Sequence, residues 1–260
     1  MALADEFDGL LIDLDGVVWV GRELVPGSAE ALTALLAAGK EIVFVTTHPA
    51  KPAAAYAERL AAAGVEVTPE RIVTAGMVTA RLAMEAAGDE GRAFVIGAPA
   101  FRELVAEGVE VLEGEAGRGA EVVVVSGHRE FDYGELLTAT LALQGGAALL
   151  ATSRDPTLPM PGGAWPGTGS ILAAVETASG RRAEIGGKPE RHLFEMALAA
   201  IGSPVRIAMV GDRISSDIDG GRAAGLATVL VLSGASTREQ AAAAAQPPDH
   251  VVADLAALLR

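Results

Sequence analysis

The chain of 260 residues contains no cysteine, so disulfides and thiolate metal sites are excluded. Aromatic residues make up only 4% of it, which leaves alanine and the aliphatic residues to build the core. Basic residues are also few: 20 lysines and arginines stand against 34 acidic residues, for a net charge of −14. Because nucleic acids and anionic membranes bind basic surfaces, we expect neither as a partner.

Long apolar runs are missing as well. No run approaches the roughly 18 residues of a membrane-spanning helix, and residues 1–6 lack the basic segment that opens a secretory signal. We therefore expect a soluble, cytoplasmic protein.

The chain does contain a regular alternation of two patterns, since half of its residues are hydrophobic. Short aliphatic runs at 10–12, 42–45, 207–210 and 228–232 are typical of buried parallel strands, and amphipathic segments between them are typical of crossover helices. The sequence therefore predicts an α/β fold with a Rossmann-like parallel-sheet core.

The middle of the chain repeats this alternation independently. We predict that residues 80–182 form an inserted α/β domain, and that residues 1–79 and 183–260 together form the core domain. Residues 159–169 are rich in glycine and proline, and we expect a long loop there.

The stretch around which the chain is organised is Leu10–Gly16. Its aliphatic run ends on two carboxylates, Asp13 and Asp15, and then a glycine. Burying unpaired carboxylates costs several kcal/mol, so a divalent cation such as Mg²⁺, which prefers hard oxygen ligands, is one explanation. An ordinary turn, for which Asp-Gly is common, is the other.

Further polar residues follow other strands of the same predicted sheet. Thr46 and Thr47 end the second strand, Lys188 precedes a helix, and Asp212 follows a later strand with Asp217 close behind. Each has an ordinary explanation as a turn, cap or solvent-exposed residue. Because ligands bind at the carboxyl ends of parallel strands, however, their joint occurrence predicts a site for Mg²⁺ and phosphate.

These residues resemble, in order and spacing, the four motifs of the haloacid dehalogenase superfamily: Asp13-Leu14-Asp15-Gly16, Thr46, Gly187-Lys188-Pro189 and Gly211-Asp212-Arg213 through Ser216-Asp217-Ile218. Parts of residues 151–178 also resemble the branch that holds 4-nitrophenylphosphatases, NagD-type nucleotidases, and phosphoglycolate and pyridoxal phosphate phosphatases. The resemblance implies a core with an α/β cap inserted between the second and third motifs. It also implies a Mg²⁺-dependent phosphatase.

The resemblance further implies a role for each motif residue. Asp13 is expected to be the nucleophile that forms an aspartyl-phosphate, and Asp15 the general acid and base. Mg²⁺ is expected to bind the Asp13 carboxylate, the Asp15 carbonyl and Asp212. Lys188 is expected to stabilise the phosphate.

Four further residues complete the expected site. Thr46 and Thr47 are expected to bind phosphate through a hydroxyl and a backbone N–H. Ser216 and Asp217 are expected to lie just outside the metal ligands.

Two regions bear on the substrate. Where relatives usually have two asparagines, this chain has Thr47-His48, so His48 either contacts substrate or is a structural replacement. In the inserted domain the candidates for specificity are Arg154, Asp155 and Leu158; the alternative for Arg154 and Asp155 is a local ion pair in a turn.

We expect a small phosphorylated metabolite as substrate, of the sugar phosphate, glycerol phosphate or phosphoglycolate type. A nucleoside monophosphate or pyridoxal phosphate is the alternative, and a catalytically impaired metabolite-binding protein is the alternative of a different class. Both a monomer and a homodimer are compatible with the resemblance.

Overall fold

The computed structural model describes residues 2–49, 51–88, 91–160, 163–203 and 205–260. They form two compact units. The first comprises Met1–Thr46, Ala53–Val73 and Lys188–Arg260, and the second comprises Thr47–Pro52 and Thr74–Gly187.

The strands and helices are numbered here in chain order. The strands are β1 (Gly9–Asp13), β2 (Trp19–Val20), β3 (Glu23–Leu24), β4 (Glu41–Thr46), β5 (Ile72–Thr74), β6 (Arg92–Ile96), β7 (Glu110–Leu112), β8 (Val122–Val125), β9 (Ala148–Ala151), β10 (Thr157–Met160), β11 (Gly163–Pro166), β12 (Glu184–Ile185), β13 (Ile207–Gly211), β14 (Ala227–Val231) and β15 (His250–Val252). The helices are α1 (Ser28–Ala37), α2 (Ala53–Ala62), α3 (Ala75–Ala87), α4 (Pro99–Ala106), α5 (Tyr133–Gln144), α6 (Thr168–Ser179), α7 (Arg191–Ile201), α8 (Asp219–Ala223) and α9 (Arg238–Ala243).

A six-stranded sheet in the order β15-β14-β13-β1-β4-β5 forms the centre of the first unit. Strand β1 pairs in parallel with both β13 and β4, and all five of its residues are buried. Ile12 lies opposite Val210 in this register. The carboxylates that follow, Asp13 and Asp212, therefore leave the sheet at the same edge. The predicted parallel α/β core is confirmed.

A short hairpin of β2 and β3 follows β1 directly. Trp19, the first residue of β2, is only 1% exposed and belongs to the core of the first unit. The hairpin therefore lies against the core immediately after the Asp13–Gly16 turn.

The second unit has its own sheet, in the order β12-β9-β8-β6-β7, with parallel pairing throughout. Its core is built from aliphatic side chains and Phe94. Helix α3 and strand β12 lie within this unit, which therefore extends beyond residues 80–182 at both ends.

The expected long loop at residues 159–169 is wrong. Strands β10 and β11 pair there as an antiparallel ribbon, and α6 begins at Thr168. Prolines are tolerated in a two-stranded ribbon because each strand has a free edge that needs no N–H donor. Glycine and proline content alone therefore gave the wrong prediction.

The sequence contains no apolar run of the length that predicts a membrane-spanning helix. Across the parts of the chain that the structure describes, no helix is both long and apolar enough to cross a membrane.

Candidate active site

The turn after β1 separates two carboxylates that are only two residues apart. Asp13 is 6% exposed, whereas Asp15 is exposed, and Leu14 between them is fully buried. Gly16 then takes a φ of +90°, which an L side chain rarely adopts. The turn therefore gives Asp13 a buried environment and Asp15 a solvent-accessible one.

Lys188 joins two carboxylates in an ion pair network. Its Nζ lies 2.5 Å from Oδ1 of Asp13 and 2.6 Å from Oδ1 of Asp217, and its side chain is 2% exposed. Burial alone would lower the pKa of Lys188, but the charges of Asp13 and Asp217 outweigh it and hold that pKa above its usual range. Lys188 therefore stays a buried cation.

Asp217 lies in a single π-helical turn, Ile214–Ile218, and is completely buried. Its Oδ1 accepts from Lys188, and its Oδ2 accepts from the backbone N–H groups of Asp212 and Arg213, at 3.2 and 3.0 Å. Both carboxylate oxygens are thus occupied by donors of the protein. The contacts of Asp217 fix the Lys188 ammonium and the Asp212 backbone.

Asp212 has one carboxylate oxygen that accepts no hydrogen bond from the described residues. Its Oδ2 accepts from the Ala235 N–H at 2.7 Å, while its Oδ1 is buried and has no hydrogen-bond partner among the described residues. A Cβ added at Gly16 or Gly234 would lie 2.3 or 2.1 Å from Oδ2, so a larger residue at either position would displace this carboxylate. Burial first, and then the charge of Asp217, raise the pKa of Asp212 to about 6.

The donor set fits a divalent cation. Carboxylate oxygens of Asp13, Asp212 and Asp217 lie within 4.8 Å of one another. When all three are ionised, they and Lys188 carry a net charge of −2, which one divalent cation would balance. Because Asp217 is already occupied, Asp13 and Asp212 are the side chains best suited to bind Mg²⁺, which prefers such hard oxygen ligands.

Thr46, the last residue of β4, is 1% exposed and hydrogen-bonds with the Tyr56 side chain. Ser216 is buried in the same π-helical turn as Asp217. Thr47 and His48 belong to the second unit. The first unit therefore brings together most of the residues that the sequence singled out.

The specificity candidates lie in the second unit. Arg154 pairs with Glu176 at 3.0 Å and donates to the Ala183 carbonyl at 2.9 Å. The Asp155 N–H donates to the Ser153 hydroxyl, which makes a local turn. Leu158 falls in β10, and its side chain lies outside the described residues.

One contact of the site was not predicted. The indole N–H of Trp19 donates to Oδ1 of Asp15 at 3.0 Å. In the sequence Trp19 stands in an apolar run, which is the pattern of an ordinary core residue. No sequence signal distinguishes the two roles.

Two family models match the chain. The first, described as "Haloacid dehalogenase-like hydrolase", covers residues 10–109, and the second, described as HAD-hydrolase-like, covers residues 185–258. Among curated proteins, the human glycerol-3-phosphate phosphatase is 40% identical over 91% of this chain and 82% of its own length. Mouse chronophin is 38% identical over 90% of this chain and 84% of its own.

Solved structures give the same result. A glycerol phosphate phosphatase from Mycobacterium tuberculosis, in complex with magnesium, matches with a TM-score of 0.91 and 33% identity, over all of this chain and 78% of its own. A 4-nitrophenylphosphatase from Thermotoga maritima matches with a TM-score of 0.89 and 31% identity, over all of this chain and 98% of its own. With its motif residues clustered at one sheet edge, the chain belongs to the haloacid dehalogenase-like hydrolases.

Proposed function

We propose that the protein is a Mg²⁺-dependent phosphatase that hydrolyses a small phosphomonoester through an aspartyl-phosphate on Asp13. The observation that carries this proposal is the buried Asp13, ion-paired with Lys188 and grouped with Asp212, whose Oδ1 has no partner among the described residues. The phosphatases among the relatives support the reaction class.

The reaction has two steps. An oxygen of the Asp13 carboxylate attacks phosphorus, the bond between phosphorus and the leaving oxygen breaks, and Asp15 gives its proton to that oxygen. Asp15, now ionised, takes a proton from water, whose oxygen attacks the phosphorus of the aspartyl-phosphate. The bond between phosphorus and Asp13 breaks, inorganic phosphate leaves, and Asp15 is again protonated. The exposure of Asp15 suits a group that exchanges protons with substrate and water.

Two cations reduce the repulsion between the Asp13 carboxylate and the phosphate dianion. Mg²⁺ bound by Asp13, Asp212 and the Asp15 carbonyl would supply positive charge at the phosphate oxygens. Lys188 supplies a second positive charge, and Asp217 holds its ammonium in place.

We assign phosphate binding to Thr46 and Thr47, and specificity to the second unit acting as a cap. Within that unit His48, Arg154, Asp155 and Leu158 are the proposed specificity residues. The ion pair between Arg154 and Glu176 favours a mainly structural role for Arg154.

The proposed substrate class is a small alkyl phosphate of the glycerol phosphate type, because glycerol phosphate phosphatases occur among both the sequence and the structural relatives. Phosphoglycolate, nucleoside monophosphates and pyridoxal phosphate are the competing substrates. A cytoplasmic location and a monomeric or dimeric state stay predictions of the sequence.

The test is phosphate release from a panel of these esters and 4-nitrophenyl phosphate, with Mg²⁺ and with EDTA. We expect Mg²⁺-dependent release, highest for one small alkyl ester. Asp13→Asn should abolish turnover without unfolding the protein. Asp8→Asn is the matched control, because Asp8 is a partly exposed carboxylate paired with Arg206 just before β1, and it should keep turnover.

Two results would contradict the proposal. Turnover by Asp13→Asn at the wild-type rate would exclude Asp13 as the nucleophile. Binding of the esters without release of phosphate from any of them would identify a metabolite-binding protein instead.

A further inference from the structure

One side-chain oxygen of Asp15 accepts a hydrogen bond from Trp19, a buried residue that is itself fixed by its neighbours. The Trp19 indole N–H donates to Oδ1 of Asp15 at 3.0 Å, and Trp19 is 1% exposed. The backbone closes the same loop, because the Gly16 N–H donates to the Trp19 carbonyl at 2.7 Å. The contact therefore belongs to a tight turn and not to a mobile side chain.

Helix α2 holds the indole in place. The Arg59 guanidinium lies 3.8 Å from the centre of the Trp19 ring and donates to the Gly21 carbonyl at 2.8 Å. The Tyr56 ring lies nearly parallel to the indole, at 5° and with 6.3 Å between ring centres. The attraction between the Arg59 cation and the ring face therefore helps to hold the indole in this position.

The chemistry of the indole determines where the Asp15 proton resides. An indole nitrogen can only donate a hydrogen bond. Oδ1 of Asp15 must therefore be an acceptor whether the carboxyl group is ionised or protonated. Because the carbonyl oxygen of a carboxylic acid is a better acceptor than its hydroxyl oxygen, this contact favours the acid form that carries its proton on Oδ2.

We propose that Trp19 is a positioning residue, whose indole N–H fixes Asp15 so that Oδ2 carries the proton given to the leaving group. This rests on the proposed function, in which Asp15 is the general acid. Arg59 acts through Trp19, and neither residue needs to touch the substrate.

The leaving group provides the test. An alkoxide such as that of glycerol 3-phosphate must be protonated as it leaves, whereas 4-nitrophenolate is stable as an anion and needs little help from an acid. For Trp19→Phe we expect kcat/KM for glycerol 3-phosphate to fall about tenfold and kcat/KM for 4-nitrophenyl phosphate to change less than about threefold, since general acid catalysis is worth about 10²–10⁴-fold and only its positioning is lost. In an Asp15→Asn background, Trp19→Phe should have no further effect.

A second variant removes the N–H without changing the shape of the ring. The chain has two tryptophans, so Trp165→Phe leaves Trp19 as the sole tryptophan. Replacing it biosynthetically with the sulfur isostere β-(3-benzothienyl)alanine should reproduce the selective loss relative to Trp165→Phe itself. This measurement applies even if Trp19→Phe fails to fold.

The activities on the two esters distinguish the possible roles of Trp19. A selective loss on the alkyl ester supports the role of Trp19. Equal losses on both esters, or no loss on either, would overturn it and leave Trp19 a core residue. A wild-type protein that releases phosphate from neither ester would instead overturn the proposed function.

Discussion

Replacing Asp212 with asparagine should abolish phosphatase activity and yet stabilise the metal-free protein. The pKa of Asp212 is raised from 3.8 to about 6 by burial and by the charge of Asp217. A pKa difference of about two corresponds to about 3 kcal/mol, so the ionised carboxylate destabilises the fold by about that amount at pH 7.5. The neutral amide keeps an oxygen for the Ala235 N–H and removes the charge.

The difference in the free energy of unfolding between Asp212→Asn and the wild type depends on pH and on Mg²⁺. Because the folded-state pKa of Asp212 is raised, its destabilising effect is absent below pH 3.8 and fully present above pH 6. The advantage of Asp212→Asn should therefore fall from about 3 kcal/mol at pH 7.5 to about 1.5 kcal/mol at pH 5. Added Mg²⁺ should stabilise the wild type and leave the variant nearly unchanged, which reduces or reverses the difference.

Urea denaturation in EDTA is the assay. In a Trp165→Phe background, the fluorescence of Trp19 reports unfolding of the first unit alone. Asp8→Asn is the control of opposite sign, because the hydrogen bonds and charge of Arg206 lower the pKa of Asp8, so losing this carboxylate should reduce stability at pH 7.5. A variant that is no more stable than the wild type in EDTA at pH 7.5, or whose advantage does not shrink at pH 5, would refute the reasoning.

Three further predictions concern the same cluster. Gly16→Ala should abolish measurable Mg²⁺ binding in calorimetry, since its Cβ would lie 2.3 Å from Oδ2 of Asp212. Gly21→Ala should keep that affinity, because a Cβ at Gly21, which also has a positive φ (+61°), would meet no atom of the described residues within 4 Å. Asp217→Asn should destabilise the protein by about 3 kcal/mol in urea denaturation and lower kcat about 100-fold, because Lys188 loses one of its two buried partners. Mg²⁺ at 100 times its dissociation constant should raise the free energy of unfolding of the wild type by about 2.7 kcal/mol, and an unchanged urea midpoint would contradict metal binding.

Sequence reasoning succeeded where burial is energetically decisive. A carboxylate directly after a fully aliphatic run needs a partner, and this requirement singled out Asp13 and Asp15 without any coordinates. Asp212 was singled out by its place after another predicted strand. Parallel pairing predicts that strand ends meet at one edge, which is where β1 and β13 deliver Asp13 and Asp212. Lys188 was identifiable only together with the other polar residues and the family pattern, because a lysine before a helix is ordinary by itself.

The features that sequence reasoning missed depend on contacts between distant or irregular segments. The π-helical turn that carries Asp217 has no periodic signature, and the β10–β11 ribbon lies in a stretch whose glycine and proline content suggests a loop. The hydrogen bond from Trp19 to Asp15 joins residues four apart, and the apolar run around Trp19 predicts only burial.

The spacing of Asp13 and Asp15 alone could not assign their separate roles. In a continuous strand, residues two apart lie on the same face and share one environment. Here β1 ends at Asp13 and the chain turns at Gly16, with its φ of +90°, so one carboxylate is buried with Lys188 and the other is exposed beside Trp19. An enzyme that uses one carboxylate as a nucleophile and another as an acid that exchanges its proton requires two such environments. The end of the strand, and not the spacing of the aspartates, is therefore the feature that makes the proposed division of labour possible.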